Sequence, residues 1–168
     1  MATSEKPSHY RKPTMAEHLA TIRWQRGDGD FKAGKFSRNH TWTFDGGAVV
    51  EASAAPGVVP APYVNPAGVD PEEALVASIS SCHMLSFLYV AWKAGYQVDS
   101  YEDRAVGRMS KNEQGIPWVG SATLHPKISF GGDRQPTEAE EEKLHHDAHH
   151  ICFIANSVRT EITVEPVR

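Results

Sequence analysis

From Asp70 to Gly95 the chain writes out one long helix with both ends marked. Asp70 can cap it through its side-chain oxygen, and Pro71 suits the first helical position, where a missing N–H costs nothing. Glu73 completes a capping box, and Glu72 and Glu73 both favour the positive end of the helix dipole. Gly95 supplies a left-handed stop. A helix over Pro71–Ala94 would run about 36 Å at ~1.5 Å per residue. It carries no Asp, Glu, Lys or Arg between Glu73 and Lys93, and apolar residues occur all round it. The expectation is a central helix buried on most sides. An uncharged run of this length also fits a membrane span. Ser78, Ser80, Ser81, His83 and Ser86 argue against that reading.

A chain of 168 residues suits a single domain. We assign 16–168 to that domain and read 1–15, polar and holding Pro7 and Pro13, as a tail. A net charge of −4 gives no sign of a nucleic-acid surface. No cationic segment leading into an apolar one stands near Met1, so the expectation is a cytoplasmic protein with no membrane partner. In a reducing compartment, two cysteines point to redox, catalytic or metal chemistry more than to a structural staple.

The rest of the chain alternates between strand and turn signals. Glu17–Gln25 places Ala20, Ile22 and Trp24 on one side. In Phe36–Phe44, Phe36, Arg38, His40, Trp42 and Phe44 share a face, and Asp45-Gly46-Gly47 turns into a partner over Ala48–Ala52. Arg38 on the aromatic face needs an anion or another partner, unless its guanidinium reaches solvent at a strand edge. Ala54–Val69, with Pro56, Pro60, Pro62 and Pro66, is a loop feeding the long helix. Gln97–Met109 and Trp118–Phe130 read as two strands. Thr137 and Glu140 open a second helix with a capping box, ending near His150, and Thr160–Pro166 is a last strand. The pattern is α+β with a mostly antiparallel sheet.

Two constellations could carry chemistry. Cys82 sits mid-helix, and Cys152 follows the second helix, 70 residues on. Spacing alone does not bring them together, and a lone buried cysteine usually acts as a small hydrophobe. If the helices pack, however, the pair suits a cycle in which one thiolate becomes a sulfenic acid and the other condenses with it. The attacking thiolate needs a positive neighbour, and Arg38 is the best candidate. The rival is the cluster His145, His146, His149 and His150. His145/His149 and His146/His150 are each four apart and could chelate a metal from one helix face. We read that face instead as exposed and solvated, with no metal. His83 points about 100° away from Cys82 around the helix and reads as a hydrogen-bonded packing residue.

Several short motifs occur together and in order: Phe36-Ser-Arg38-Asn-His40, Phe44-Asp-Gly-Gly47, Asp70-Pro-Glu-Glu73, Ser80-Ser-Cys82-His83, Leu124-His-Pro126, and Ala148-His149 followed by Cys152 and Asn156-Ser157. With them the chain resembles the osmotically inducible protein C and organic hydroperoxide resistance (OsmC/Ohr) family of thiol peroxidases, over most of Ile22–Val164. The resemblance implies an OsmC-like fold in an intertwined homodimer with active sites at the subunit interface, and no cofactor. It implies a peroxidatic Cys82, a resolving Cys152, and an Arg38–Glu72 ion pair that orients the arginine on the Cys82 sulfur. The implied substrates are organic, fatty-acid-like hydroperoxides, and the implied reductant is a lipoyl protein or another dithiol. Phe36, Trp42 and Phe44 would wall an apolar approach to the site. The alternative is a small-molecule or metal-binding protein on the same fold, without turnover.

Overall fold

The computed structural model describes residues 16–168, so the tail expected over 1–15 lies outside the described residues. The elements run β1 (Ala20–Arg23), β2 (His40–Phe44), β3 (Val49–Ala52), α1 (Pro71–Lys93), β4 (Gln97–Asp103), β5 (Val106–Lys111), β6 (Pro117–Leu124), β7 (Pro126–Gly131), α2 (Glu138–Ile151) and β8 (Glu161–Val164). The architecture is α+β, as the sequence predicts, and every strand pair but one is antiparallel. The exception is β8, which returns from α2 to lie parallel to β6.

The helix ends are as written in the sequence. The Asp70 carboxylate accepts from the Glu73 N–H at 2.7 Å, and Glu73 reaches back to the Asp70 N–H. Gly95 takes a φ of +80°, just past the Ala94 cap. Thr137 and Glu140 close the same reciprocal box at the start of α2.

Burial of α1 is narrower than its composition suggests. Ile79, His83, Phe87 and Ala91, spaced by four, form one buried stripe. Phe87 and Ala91 pack with Tyr96, Leu144 and Ala148, while Ile79 packs with Ala122 and Leu124. On another face Leu85, Tyr89 and Trp92 are 61%, 52% and 65% exposed. The expected all-round burial therefore does not occur within one chain: a single helix against it and sheet behind it cover one stripe only. The length and hydropathy of α1 match a membrane span, but its buried stripe packs on α2 and the strands. At Gly107 of β5 the contact is backbone-close, since a Cβ there would lie 2.4 Å from Val76 Cγ2.

Most expected strands are shorter or divided; Glu17–Gln25 and Thr160–Pro166 shrink to β1 and β8. Phe36–Phe44 is strand only from His40, because the β1 ladder ends at Arg23, opposite Thr41, and the β3 ladder at Ala52, opposite His40. Phe36 instead stacks on Phe31 at 4.5 Å, and Trp24 donates to the Ser37 carbonyl at 2.8 Å. The Gln97–Met109 run breaks at Arg104-Ala105, and the Trp118–Phe130 run breaks at His125. These breaks form one corner. Pro126 is fully buried and has no N–H for a ladder. The Asp103 carboxylate secures the corner, accepting from the His125 N–H at 2.7 Å and from the Ser80 hydroxyl. The corner separates the β4–β7 pair from the β5–β6–β8 sheet.

Candidate active site

The antiparallel packing of α1 on α2 brings the two cysteines together. Cys82 is half-buried on α1, and Cys152, fully buried, caps the C-terminus of α2. Both are free thiols, close enough for Cys82 to influence the protonation of Cys152. The turn after α2 aims backbone donors at them: the Ile154 N–H points at Cys82 Sγ and the Ala155 N–H at Cys152 Sγ, each at 3.5 Å. That turn is held from below. The Asn156 side chain donates to the carbonyls of His150 and Cys152, at 3.0 and 2.8 Å, and Ser157 Oγ donates to the Phe153 carbonyl. Sequence reading missed these backbone donors. The one signal for them was Asn156-Ser157, two local hydrogen-bonding residues directly after a helix end.

Burial raises the Cys152 thiol above its ordinary range. The Ala155 N–H opposes that, and the neighbouring Cys82 adds to it. Cys152 therefore stays protonated at neutral pH and out of reach of solvent, while Cys82 is the accessible sulfur.

Beside the thiols lies a pair of buried imidazoles. His83 Nε2 and His145 Nδ1 are 3.1 Å apart, their rings nearly parallel at 9°. His145 also packs on the Phe87 ring, with centroids 4.5 Å apart. His83 is thus a hydrogen-bonded packing residue, but the expected exposed face on α2 needs correction. His146, His149 and His150 are exposed, and His145 is buried. Alternation along a helix cannot show which of two adjacent histidines meets the neighbouring helix. Among the described residues no three metal-ligating side chains converge.

Burial lowers both imidazoles to about 4; His149 lowers His83 further, and Asp103 opposes it. The unfolded chain takes up these protons near pH 6.5, whereas the folded chain resists until about 4. Stability is therefore full above pH 6.5 and is lost as the pH falls toward 4. Urea unfolding should show a drop of roughly 2 kcal/mol per histidine between pH 7 and pH 5. Equal stability at the two values would contradict the buried, neutral pair.

Arg38 and Glu72 are placed elsewhere. Both line a cavity of about 470 Å³ with Ile22, Trp24, Phe36 and His40, at the N-terminal end of α1. Among the described residues they form no ion pair. The Arg38 guanidinium lies 3.7 Å over the Phe36 ring and donates to the carbonyls of Gly34 and Phe36. Of the three aromatic walls expected, Phe36 lines this cavity, while Trp42 and Phe44 stand outside it. Trp24 and Phe31 take their places, because the chain bends before His40. A larger cavity, about 720 Å³, follows α1 between Glu72 and Met84 and is closed by Tyr101, Asp103 and Met109. Cys82 lines neither cavity. Within one chain, then, the thiols meet each other but not the arginine.

Two abutting thiols on a helix pair, backed by a strongly bent α+β sheet, define a dithiol protein of the OsmC-like kind. The family model for OsmC-like protein matches residues 64–167. The chain belongs to the OsmC/Ohr family. It is similar to an OsmC-like protein of unknown function from Vibrio cholerae, at 51% identity and a TM-score of 0.88, over 91% of this chain and 100% of that one. The fold is shared with an organic hydroperoxide resistance protein from Elizabethkingia anophelis, at 22% identity and TM-score 0.67, covering 92% and 96% of the two chains. It is shared too with the organic hydroperoxide resistance protein OhrB of Bacillus subtilis, at 18% identity and TM-score 0.66, over 90% and 98%. Among curated proteins nothing matches.

Proposed function

We propose that the protein is a cysteine-based peroxidase that reduces organic, fatty-acid-like hydroperoxides in the cytoplasm, working as a homodimer. The observation that carries this reading is the abutting pair of free thiols with unequal exposure. The accessible Cys82 thiolate attacks the outer peroxide oxygen. The O–O bond breaks, the sulfur becomes a sulfenic acid, and the alkoxide leaves and takes a proton to form the alcohol. The Cys152 thiol then attacks the Cys82 sulfur, expelling water and closing a disulfide. A lipoyl protein or another dithiol supplies two electrons and two protons to reopen it. Burial fits Cys152 for the second step alone, since a peroxide cannot reach it first. The Ile154 N–H lies where negative charge on the Cys82 sulfur would be stabilised.

Arg38 and Glu72 belong to this reading as the cation that activates Cys82 and the carboxylate that holds it, contributed across the interface by a second copy of the chain. Two features support that. Arg38 is held by carbonyls of its own loop in a cavity that Cys82 does not line, and the apolar face of α1 beside Cys82, including Leu85, is open. Two such faces brought together would complete the burial that the composition of α1 calls for.

The test is consumption of peroxide by the purified protein with dihydrolipoamide as reductant. The expected result is multiple turnovers, faster with a long-chain alkyl hydroperoxide than with hydrogen peroxide. Stoichiometric binding of a divalent metal with no peroxide consumed would instead favour a binding protein on this fold.

A further inference from the structure

We propose that the His83–His145 hydrogen bond sets the register of α1 on α2, and that this register is what holds Cys82 against Cys152. The inference rests on the proposed reading insofar as it takes the two thiols as the working pair.

The surrounding contact between the helices is apolar, made by Phe87 and Ala91 of α1 with Leu144 and Ala148 of α2. Apolar contacts are non-directional, and small alanine surfaces tolerate sliding. A directional side-chain link in this contact is the imidazole pair, with a 3.1 Å N···N separation that a displaced helix would lose. The link has a cost. His83 is 1% and His145 4% exposed, and the other ring nitrogens, Nδ1 of His83 and Nε2 of His145, have no partner. Two hydrophobic residues of similar volume would avoid that penalty. The best-attested physical role for such a buried polar pair is to select one helix alignment over its neighbours.

Position links this bond to the sulfurs. His83 follows Cys82 directly, and His145 lies two helical turns before Cys152, on the same side of α2. The bond and the thiol contact lie in the same α1–α2 interface, one residue apart on α1 and seven residues apart on α2. A slip of one residue moves a helix by about 1.5 Å. A disulfide needs its Cβ atoms within about 3.5–4.5 Å, so such a slip is enough to lose it. The charged or titratable groups near the pair, Asp103 from β4 and His149 from α2, influence its protonation but supply no competing link between the helices.

The experiment replaces the bond by an apolar pair, His83→Leu with His145→Leu, and follows disulfide formation with diamide. Diamide takes two electrons and two protons from a dithiol and becomes the hydrazine, whether or not the protein reduces peroxides. Failure of the peroxidase reading therefore leaves this test intact. The double variant is expected to unfold within a few degrees of the parent but to close the Cys82–Cys152 disulfide at least tenfold more slowly. Alkylation of Cys82 by iodoacetamide, in a Cys152→Ser background, should stay at the parent rate, showing that position and not thiol chemistry has changed. His145→Gln keeps a donor and an acceptor and should close the disulfide within about threefold of the parent; it also serves if the double variant does not fold. Disulfide closure at the parent rate in the double variant would overturn the proposal. So would a tenfold loss in His145→Gln, or an equal fall in alkylation.

Discussion

Cys82→Ser should consume no peroxide at all, while Cys152→Ser should consume one equivalent and stop. The two variants remove different steps. Without Cys82 no nucleophile is accessible, since Cys152 is fully buried and burial keeps it protonated. Without Cys152 the first step proceeds, the sulfenic acid has no internal thiol to condense with, and the cycle stalls. Stopped-flow peroxide consumption and trapping of the sulfenic acid with a dimedone reagent separate the cases. Cys82→Ser should change stability little, and Cys152→Ser should lose about 1–3 kcal/mol, because a hydroxyl then replaces a fully buried thiol. Peroxide reduction by Cys82→Ser at the parent rate would end the thiol mechanism.

The second large effect is expected for Arg38→Met. An unperturbed thiol is only a few per cent ionised at neutral pH, so a permanent positive charge beside it sets much of the rate. Methionine keeps most of the length and removes the charge. Peroxide reduction should fall roughly 100-fold, the usual effect of losing one preorganised stabiliser of developing charge. Folding should lose only about 1 kcal/mol, for two hydrogen bonds to carbonyls and a ring contact on a half-exposed loop. Glu72→Gln should act in the same direction and more weakly. The arrangement across an interface has its own readout. Mixing Arg38→Met chains with Cys82→Ser chains should restore activity, because each mixed dimer then holds one complete site. No recovery on mixing would place the arginine with the cysteine of its own chain.

Particular residues show how far this molecule could be read from its sequence. Asp70, Pro71, Glu73 and Gly95 located α1 to within a residue, because caps and stops are local chemistry acting over four residues. Thr137 and Glu140 did the same for α2. The strand divisions at Arg104 and His125 were not legible, since alternation continues through a corner when both arms keep one face inward. Pro126 was the available sign: a proline in the middle of an alternating run has no ladder N–H to give. The site divides in the same way. The two cysteines stood out by type, but their meeting depends on helix packing between residues 70 positions apart, which periodicity does not encode. The burial of His145 beside the exposed His146 depends on the same packing.

Ser53 is a small feature with a large structural consequence. It is fully buried, donates through its hydroxyl to Asn39 and accepts from the Asn65 N–H, at 3.1 and 3.0 Å. Together with the single bridge between Ala52 and Val69, it fastens the β1–β3 leaf to the approach of α1. The Arg38 N–H adds a bond to the Tyr63 carbonyl at 2.8 Å, while the residues Ile22, Phe31 and Val49 of this region are exposed. The molecule therefore places the thiols on a helix-and-sheet body and Arg38 beside a separate three-stranded leaf. The cation and the sulfurs are thus carried on separate parts of the fold, joined near Ser53 and the Ala52–Val69 bridge.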